Sequence, residues 1–391
     1  MRDVVISGSG MTRFGKHMER SLKDLAAEAA TKALADAGVG KDEIDAIFFS
    51  NALAGLITGQ EGIRGEVCAF PMGFGTIPMH NIENACASGG DALHLAWMSV
   101  ASGVHDTVLV IGAEKLNLED RERMFSAYRG GVDQDDMFAT AEGAGVDRTP
   151  MVDRQARLAQ GVLDDRGLTI RDFARIAARA HQNGSKNPLA HRQYGATIES
   201  VLESRTVVDP ITVLMMSPIS DGAAAVVVTR GDRKNARSIR IAGSRTATRS
   251  PLANSDGPSA AENSTKAVYE AAGLGPEDLS LAEIHDASVA YEFMAWRDCG
   301  LCPPGEELKW VETGHTEIGG TLPINTSGGL IARGHPIGAS ALGQICELVD
   351  QLRGEAGERQ VADARVALAQ VGGGVIGFQT AAASAHILTR D

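Results

Sequence analysis

One cysteine stands among residues that suit a reactive thiol. In ENACASGG, residues 83–90, Cys86 lies between Ala85 and Ala87, precedes Ser88-Gly89-Gly90 and leads into the helical pattern DALHLAWMSVASG. A helix that begins near Cys86 and stops at Gly103 would aim its first amides at the sulfur. The positive end of that dipole favours thiolate over thiol, and the small neighbours leave room for a second backbone or a thioester. Taken alone, such a cysteine is more often an inert, buried, small apolar residue. Two histidines change the reading. His285 in EIHDAS follows an apolar strand, and His335 in INTSGGLIARGHPIGAS occupies a glycine-dense turn before a helix. A thiol with an imidazole opposite it is a nucleophile paired with a base, although each histidine taken singly reads as well as a hydrogen-bonded core or turn residue.

The elements that must hold these side chains come in two copies. The segment from Ala26 to Asn51 reads as an amphipathic helix, a glycine stop, an acidic turn and an apolar strand, and Ala260 to Asp286 repeats it with one inserted residue. DTVLVIGAE after the Cys86 helix is echoed by DARVALAQVGGG after the His335 helix, and VVISGSG by IRIAGSR. A repeat of this length means two copies of one α/β unit and not a solenoid. Pairing the copies would place Cys86 and His335 at equivalent helix entrances, facing each other. The division expected is an N-terminal half of residues 1–116 with 207–238, a segment 117–206 inserted in it, and a C-terminal half of residues 239–391. The inserted segment has no counterpart and reads either as a loop domain shaping a cleft or as peripheral decoration.

Bulk properties narrow the function. A chain of 391 residues exceeds what one core usually supports. A formal charge of −13 argues against nucleic acid as the main partner. An anionic ligand would need a local basic patch, for which Arg121, Arg123 and Arg129, or Arg233, Lys234, Arg237 and Arg240, are candidates; as charge runs both read first as solvated surface. No signal-like or membrane-spanning apolar run is present, and five irregularly spaced cysteines suit a reducing compartment, so the cytoplasm is expected. Cys299 and Cys302 have half-zinc-site spacing with nothing nearby in sequence to complete four ligands. Gly372, Gly374 and Gly377 fit a dinucleotide pattern, but too short a tail follows for the unit that pattern serves. Tyr291 and Trp296 read as core or cleft wall, Cys68 and Cys346 as small apolar fillers.

NACASGG, SPISDGAAAVV, HDAS, NTSGGLIARGHPIGAS and VGGGVIG, in this order, resemble the thiolase superfamily. The pair His285-Asp286 makes the chain most similar to the sterol-carrier-protein-type and archaeal branch. The resemblance implies an α/β, five-layer αβαβα fold from two pseudo-equivalent halves with mixed five-stranded sheets, paired as a homodimer or homotetramer. It implies Cys86 as the nucleophile that takes an acyl group from a CoA thioester, and His335 as the acceptor of the thiol proton that then helps to hold the thioester oxygen. His285 would line the same oxyanion site, and the amides of Cys86 and Gly372 a second one. CoA would lie across the inserted segment as substrate, with no permanently bound cofactor and no metal. Where family members carry a second, proton-shuttling cysteine, this chain has Gln370 and Ala287, and Ser288 follows where a phenylalanine is usual. Members without that cysteine include subunits of acyl-transferring complexes, often beside a small OB-fold, zinc-ribbon protein, so a non-catalytic or partner-dependent acyl-CoA-binding subunit is the alternative. Retro-aldolases of the same branch are similar but lack the nucleophilic cysteine and carry tyrosines at the histidine positions.

Overall fold

The two halves start from the same local chemistry. Ser21 accepts the Asp24 amide while the Asp24 carboxylate accepts the Ser21 amide, and this capping box opens the helix Leu22–Ala37. Gly38, at φ 69°, ends it in the left-handed region that glycine enters without strain. In the second half Ser259 caps Ala260–Ala272 and Gly273, at φ 66°, stops it. A short turn and a buried strand follow in each, Ala46–Ser50 and Leu281–Glu283.

These features belong to a computed structural model that describes residues 2–135, 150–250, 257–377 and 379–390. The strands are β1 (Val4–Met11), β2 (Ala46–Ser50), β3 (Met79–Ile82), β4 (Thr107–Glu114), β5 (Thr206–Val208), β6 (Ile211–Thr212), β7 (Gly222–Arg230), β8 (Ile239–Thr248), β9 (Leu281–Glu283), β10 (Val366–Ile376) and β11 (Gln379–Thr389). β5 and β6 make a small ribbon, and the others form one mixed sheet in the order β3-β2-β4-β7-β1-β8-β11-β10-β9. Its two halves join where Val5 and Ile6 of β1 meet Arg240 and Ile239 of β8. The family resemblance implies five strands in each half. In the second, the fifth is reduced to a single parallel bridge between Ala282 and Ile324, because Pro323 has no N–H to give a ladder and Asn325 turns the chain at φ 55°.

Helices cover the sheet in layers. Leu22–Ala37 packs on β1, β4 and β7, and Ala260–Ala272 on β8, β10 and β11. Between the halves lie the helices Ser88–Ser102 and Ser340–Arg353, each touching strands of both. The order is αβαβα. Every residue of β4 is buried, as expected for a strand covered on both faces. Between β4 and β5 run the helices Arg121–Arg129, Pro150–Arg166, Ile170–Ser185 and Ile198–Glu203. Pro150–Arg166 packs against Val289–Asp298, and Ile170–Ser185 against Gly329–Arg333, which carry the chain just after His285 and just before His335. Among the described residues no helix is long and apolar enough to cross a membrane.

Candidate active site

Cys86 sits in the middle of a 3-10 turn, Ala85–Ala87, that feeds directly into the helix Ser88–Ser102. Ser88 holds the turn together: its hydroxyl accepts the Asn84 amide at 2.8 Å and donates to the Ala85 carbonyl at 2.6 Å. Ala85 is left at φ 47°, a left-handed conformation that costs a non-glycine residue of order 1 kcal/mol. The glycine run of β10 lies directly beneath. A Cβ on Gly373 would sit 2.4 Å from the Asn84 carbonyl oxygen and 2.6 Å from the Ala87 amide, so only glycine lets the two backbones approach. Gly372 is likewise closed to a side chain, with Thr380 Cγ2 at 2.8 Å.

The second half delivers its histidine through an equivalent turn, Ile337–Ala339, and the helix Ser340–Arg353. His335 Nε2 lies 3.2 Å from Cys86 Sγ, while Nδ1 lies 2.7 Å from Ser340 Oγ. The Ser340 hydroxyl already donates to the Pro336 carbonyl at 2.9 Å. It therefore accepts from His335 Nδ1–H, which leaves the Nε2 lone pair facing the thiol. This is the tautomer that a base for Cys86 requires. Ser340 lies within the motif that contains His335, five positions on, yet its part follows only from three-dimensional contact.

His285 is placed across from this pair. Its ring stands 5.8 Å from that of His335 and nearly perpendicular to it, and its backbone amide donates to Gln370 Oε1 at 3.4 Å. His285 Nδ1 is buried with no hydrogen-bond partner among the described residues, so the nitrogen open to the cavity is Nε2. Cys86, His285, His335 and Gly372 all line one cavity of about 1120 Å³. Ala287 and Tyr291 also reach it, whereas Gln370 is buried behind His285.

Electrostatics correct one expectation. Burial pushes the Cys86 thiol up to about 12, the nearby Glu114 carboxylate adds to the rise, and the cysteine's own amide opposes it. Burial holds His335 well below the usual imidazole range, helped by His285 and Arg333, and holds His285 down at about 3, helped by Arg154. The dipole does not prevail over desolvation. Both shifts favour a neutral thiol beside a neutral imidazole over a thiolate held in readiness.

Two buried carboxylates that the sequence reading does not single out shape the surroundings. Glu114, ending β4, accepts the amides of Ala52, Leu53, Ala54 and Gly338 and so binds one half's loop to the other half's turn. Asp221 accepts the amides of Leu116, Asn117 and His17 and pairs with Lys115 at 2.7 Å. Of the basic runs, Arg121 lines the cavity, and Arg123 donates to the Leu56 carbonyl. Arg233, Arg237 and Arg240 pair with Asp106, with Asp36 and Glu355, and with Asp3 at the surface. Trp296, Cys68, Cys299, Cys302 and Cys346 are buried. Among the described residues no group of three or more His, Cys, Asp or Glu side chains could hold a metal. The Gly372–Gly377 run leads through a turn into the neighbouring antiparallel strand, not into a helix.

Comparison with known proteins agrees with this architecture. The family description "Thiolase, N-terminal domain" matches residues 4–232, and "Thiolase C-terminal domain-like" matches residues 244–390. The chain is 36% identical to an acetyl-CoA acetyltransferase of Methanothermobacter thermautotrophicus, with all of both chains covered. It is 33% identical to the benzoylsuccinyl-CoA thiolase subunit BbsB of Thauera aromatica, with 95% of each chain covered. Among solved structures it resembles a chain of the Ltp2-ChsH2(DUF35) aldolase, at 25% identity and a TM-score of 0.82, covering 100% of this chain and 98% of that one. Human mitochondrial 3-ketoacyl-CoA thiolase shares the fold at 17% identity and a TM-score of 0.73, covering 100% of this chain and 98% of that one. With both halves matched and relatives aligned over their full length, the chain belongs to the thiolase family of acyltransferases.

Proposed function

We propose that this protein is a CoA-dependent acyltransferase that carries its acyl group as a thioester on Cys86. The reading rests on one observation, the 3.2 Å approach of His335 Nε2 to Cys86 Sγ inside a large cavity. Because the resting thiol is neutral, attack on a thioester carbonyl and proton transfer to His335 are coupled. The imidazolium that forms keeps its Nδ1–H on Ser340, and Nε2–H then points at the carbonyl oxygen where negative charge develops. His285 Nε2 shares that task, and the amides of Cys86 and Gly372 serve a second oxyanion site. Loss of one such donor typically slows a reaction about a hundredfold or more.

In this reading the segment 117–206 is a loop domain that walls the cavity and carries CoA, with Arg121 among its cations. The protein works in the cytoplasm as a homodimer or homotetramer. A small partner protein is consistent with two relatives, one named as a subunit and one solved together with ChsH2(DUF35). An aldolase has no use for a thiol held against a base, and that contact favours acyl transfer.

Intact-protein mass spectrometry after mixing with acetyl-CoA and longer acyl-CoAs tests the proposal. A covalent acyl adduct on the wild type that is missing from Cys86→Ala supports it. An unmodified wild type across the panel favours a non-catalytic acyl-CoA-binding subunit instead.

A further inference from the structure

Acyl transfer to and from Cys86 needs one base, but breaking a carbon–carbon bond next to a thioester needs a second proton carrier. When the bond between the β-carbonyl carbon and the α-carbon of a β-ketoacyl thioester breaks, its electron pair is left on the α-carbon. That carbon must be protonated. His335 is already occupied with the Cys86 proton, and the side chains of Gln370 and Ala287 carry no group that titrates in the accessible range.

Tyr128 offers a titratable group in the same cavity. It lies on the helix Arg121–Arg129 and lines the same cavity as Cys86 and His335. Its ring packs with Cys86 against one apolar cluster that includes Leu53, Ile57, Leu116, Ala127 and Ile337. The residue is half-buried, and its hydroxyl makes no hydrogen bond to another described residue. A half-buried phenol that opens into the cavity of a reactive thiol can meet a ligand there. Tyr291, the other phenol of the cavity, stands across His285, ring to ring at 5.2 Å, with the Arg154 guanidinium over its face.

We infer that Tyr128 is the second acid–base group, protonating the α-carbon in carbon–carbon cleavage and removing its proton in condensation. The inference rests on the acyl-enzyme reading above. In cleavage, Cys86 sulfur adds to the β-carbonyl carbon while its proton moves to His335. The carbon–carbon bond then breaks, the acyl group stays on sulfur, and the Tyr128 O–H proton passes to the α-carbon of the departing acetyl-CoA. The phenolate takes the thiol proton of incoming CoA. The resulting CoA thiolate displaces Cys86, which recovers its proton from His335. Every proton is returned, and no oxidant or reductant is needed. Burial, reinforced by Glu114, Cys86 and Asp221, keeps the phenol protonated, which suits the donor role and makes its phenolate a strong base.

The test separates the two steps. Wild type, Tyr128→Phe and Tyr291→Phe are compared for Cys86 acylation by mass spectrometry and for exchange of the acetyl-CoA methyl hydrogens in heavy water by NMR. Loss of a general acid–base group predicts exchange slowed by about a hundredfold or more in Tyr128→Phe, with acylation within about threefold of wild type. Exchange in Tyr128→Phe within about threefold of wild type overturns the inference, as does loss of exchange in Tyr291→Phe alone. A wild type that is acylated on Cys86 but exchanges nothing overturns this inference and leaves the acyl-enzyme reading intact. A wild type that takes no acyl group defeats both.

Discussion

The helix entrances at Cys86 and at His335 share one backbone design and put it to different uses. Each is a 3-10 turn running into an α-helix whose first residue is a serine, Ser88 in one and Ser340 in the other. In the first turn the serine spends its acceptor on the Asn84 amide. The equivalent position in the second is Pro336, which has no amide, so Ser340 is free to accept from His335 Nδ1. The middle residue also differs. Cys86 opens on the cavity, whereas Gly338 is pressed against the first half, where a Cβ would lie 2.7 Å from Asn51 Cα. Duplication supplied two frames; exchanging a few side chains made one the bearer of the nucleophile and the other the bearer of its base and of the contact between halves.

This division of labour can be broken at either frame. Replacing His335 by Ala removes the base and leaves the frame, and acylation of Cys86 should slow by roughly a hundred- to ten-thousandfold in stopped-flow measurements. A loss below tenfold would mean that the thiol needs no partner from the other half. Alkylation by iodoacetamide reads the resting state of the sulfur. With the thiol pushed up to about 12, the thiolate fraction grows with pH throughout the neutral range. The rate should climb about tenfold per unit between about pH 7 and pH 9, without a plateau. A flat profile would reveal a thiolate–imidazolium pair and reverse the assignment of a neutral resting state. The smallest effect is expected on the packing side. Gly338→Ala should cost about 1–3 kcal/mol, seen as a lowered midpoint in thermal or urea unfolding; an unchanged midpoint would show that the turn yields without resistance.

Much of the scaffold was legible because repetition and periodicity are local properties. The echo of Ala26–Asn51 in Ala260–Asp286 reappears as helix, 3-10 turn and strand in both halves, with glycines at φ 69° and 66° ending the helices. Residues 136–149, within the inserted segment, lie outside the described residues. The second half's fifth strand was not legible, because pattern suggests apolar strands but cannot count the amides left after Pro323. The roles open to Glu114, Ser340 and Tyr128 were hidden for a related reason. Each depends on neighbours more than a helical turn away or in the other half.

By itself the sequence determined the element types, the duplication and the candidates Cys86, His285, His335 and Gly372. The elements, the duplication, Cys86 and the two histidines follow from side-chain period, glycine placement and residue chemistry written along the chain, and Gly372 from the resemblance to the thiolase superfamily. Only the tertiary structure decided how far apart thiol and imidazole stand, which histidine nitrogen faces the sulfur, and the burial that favours thiol over thiolate. Proton positions depend on burial and on contacts between residues 249 apart in sequence, and desolvation exists only once the two halves have closed around the site.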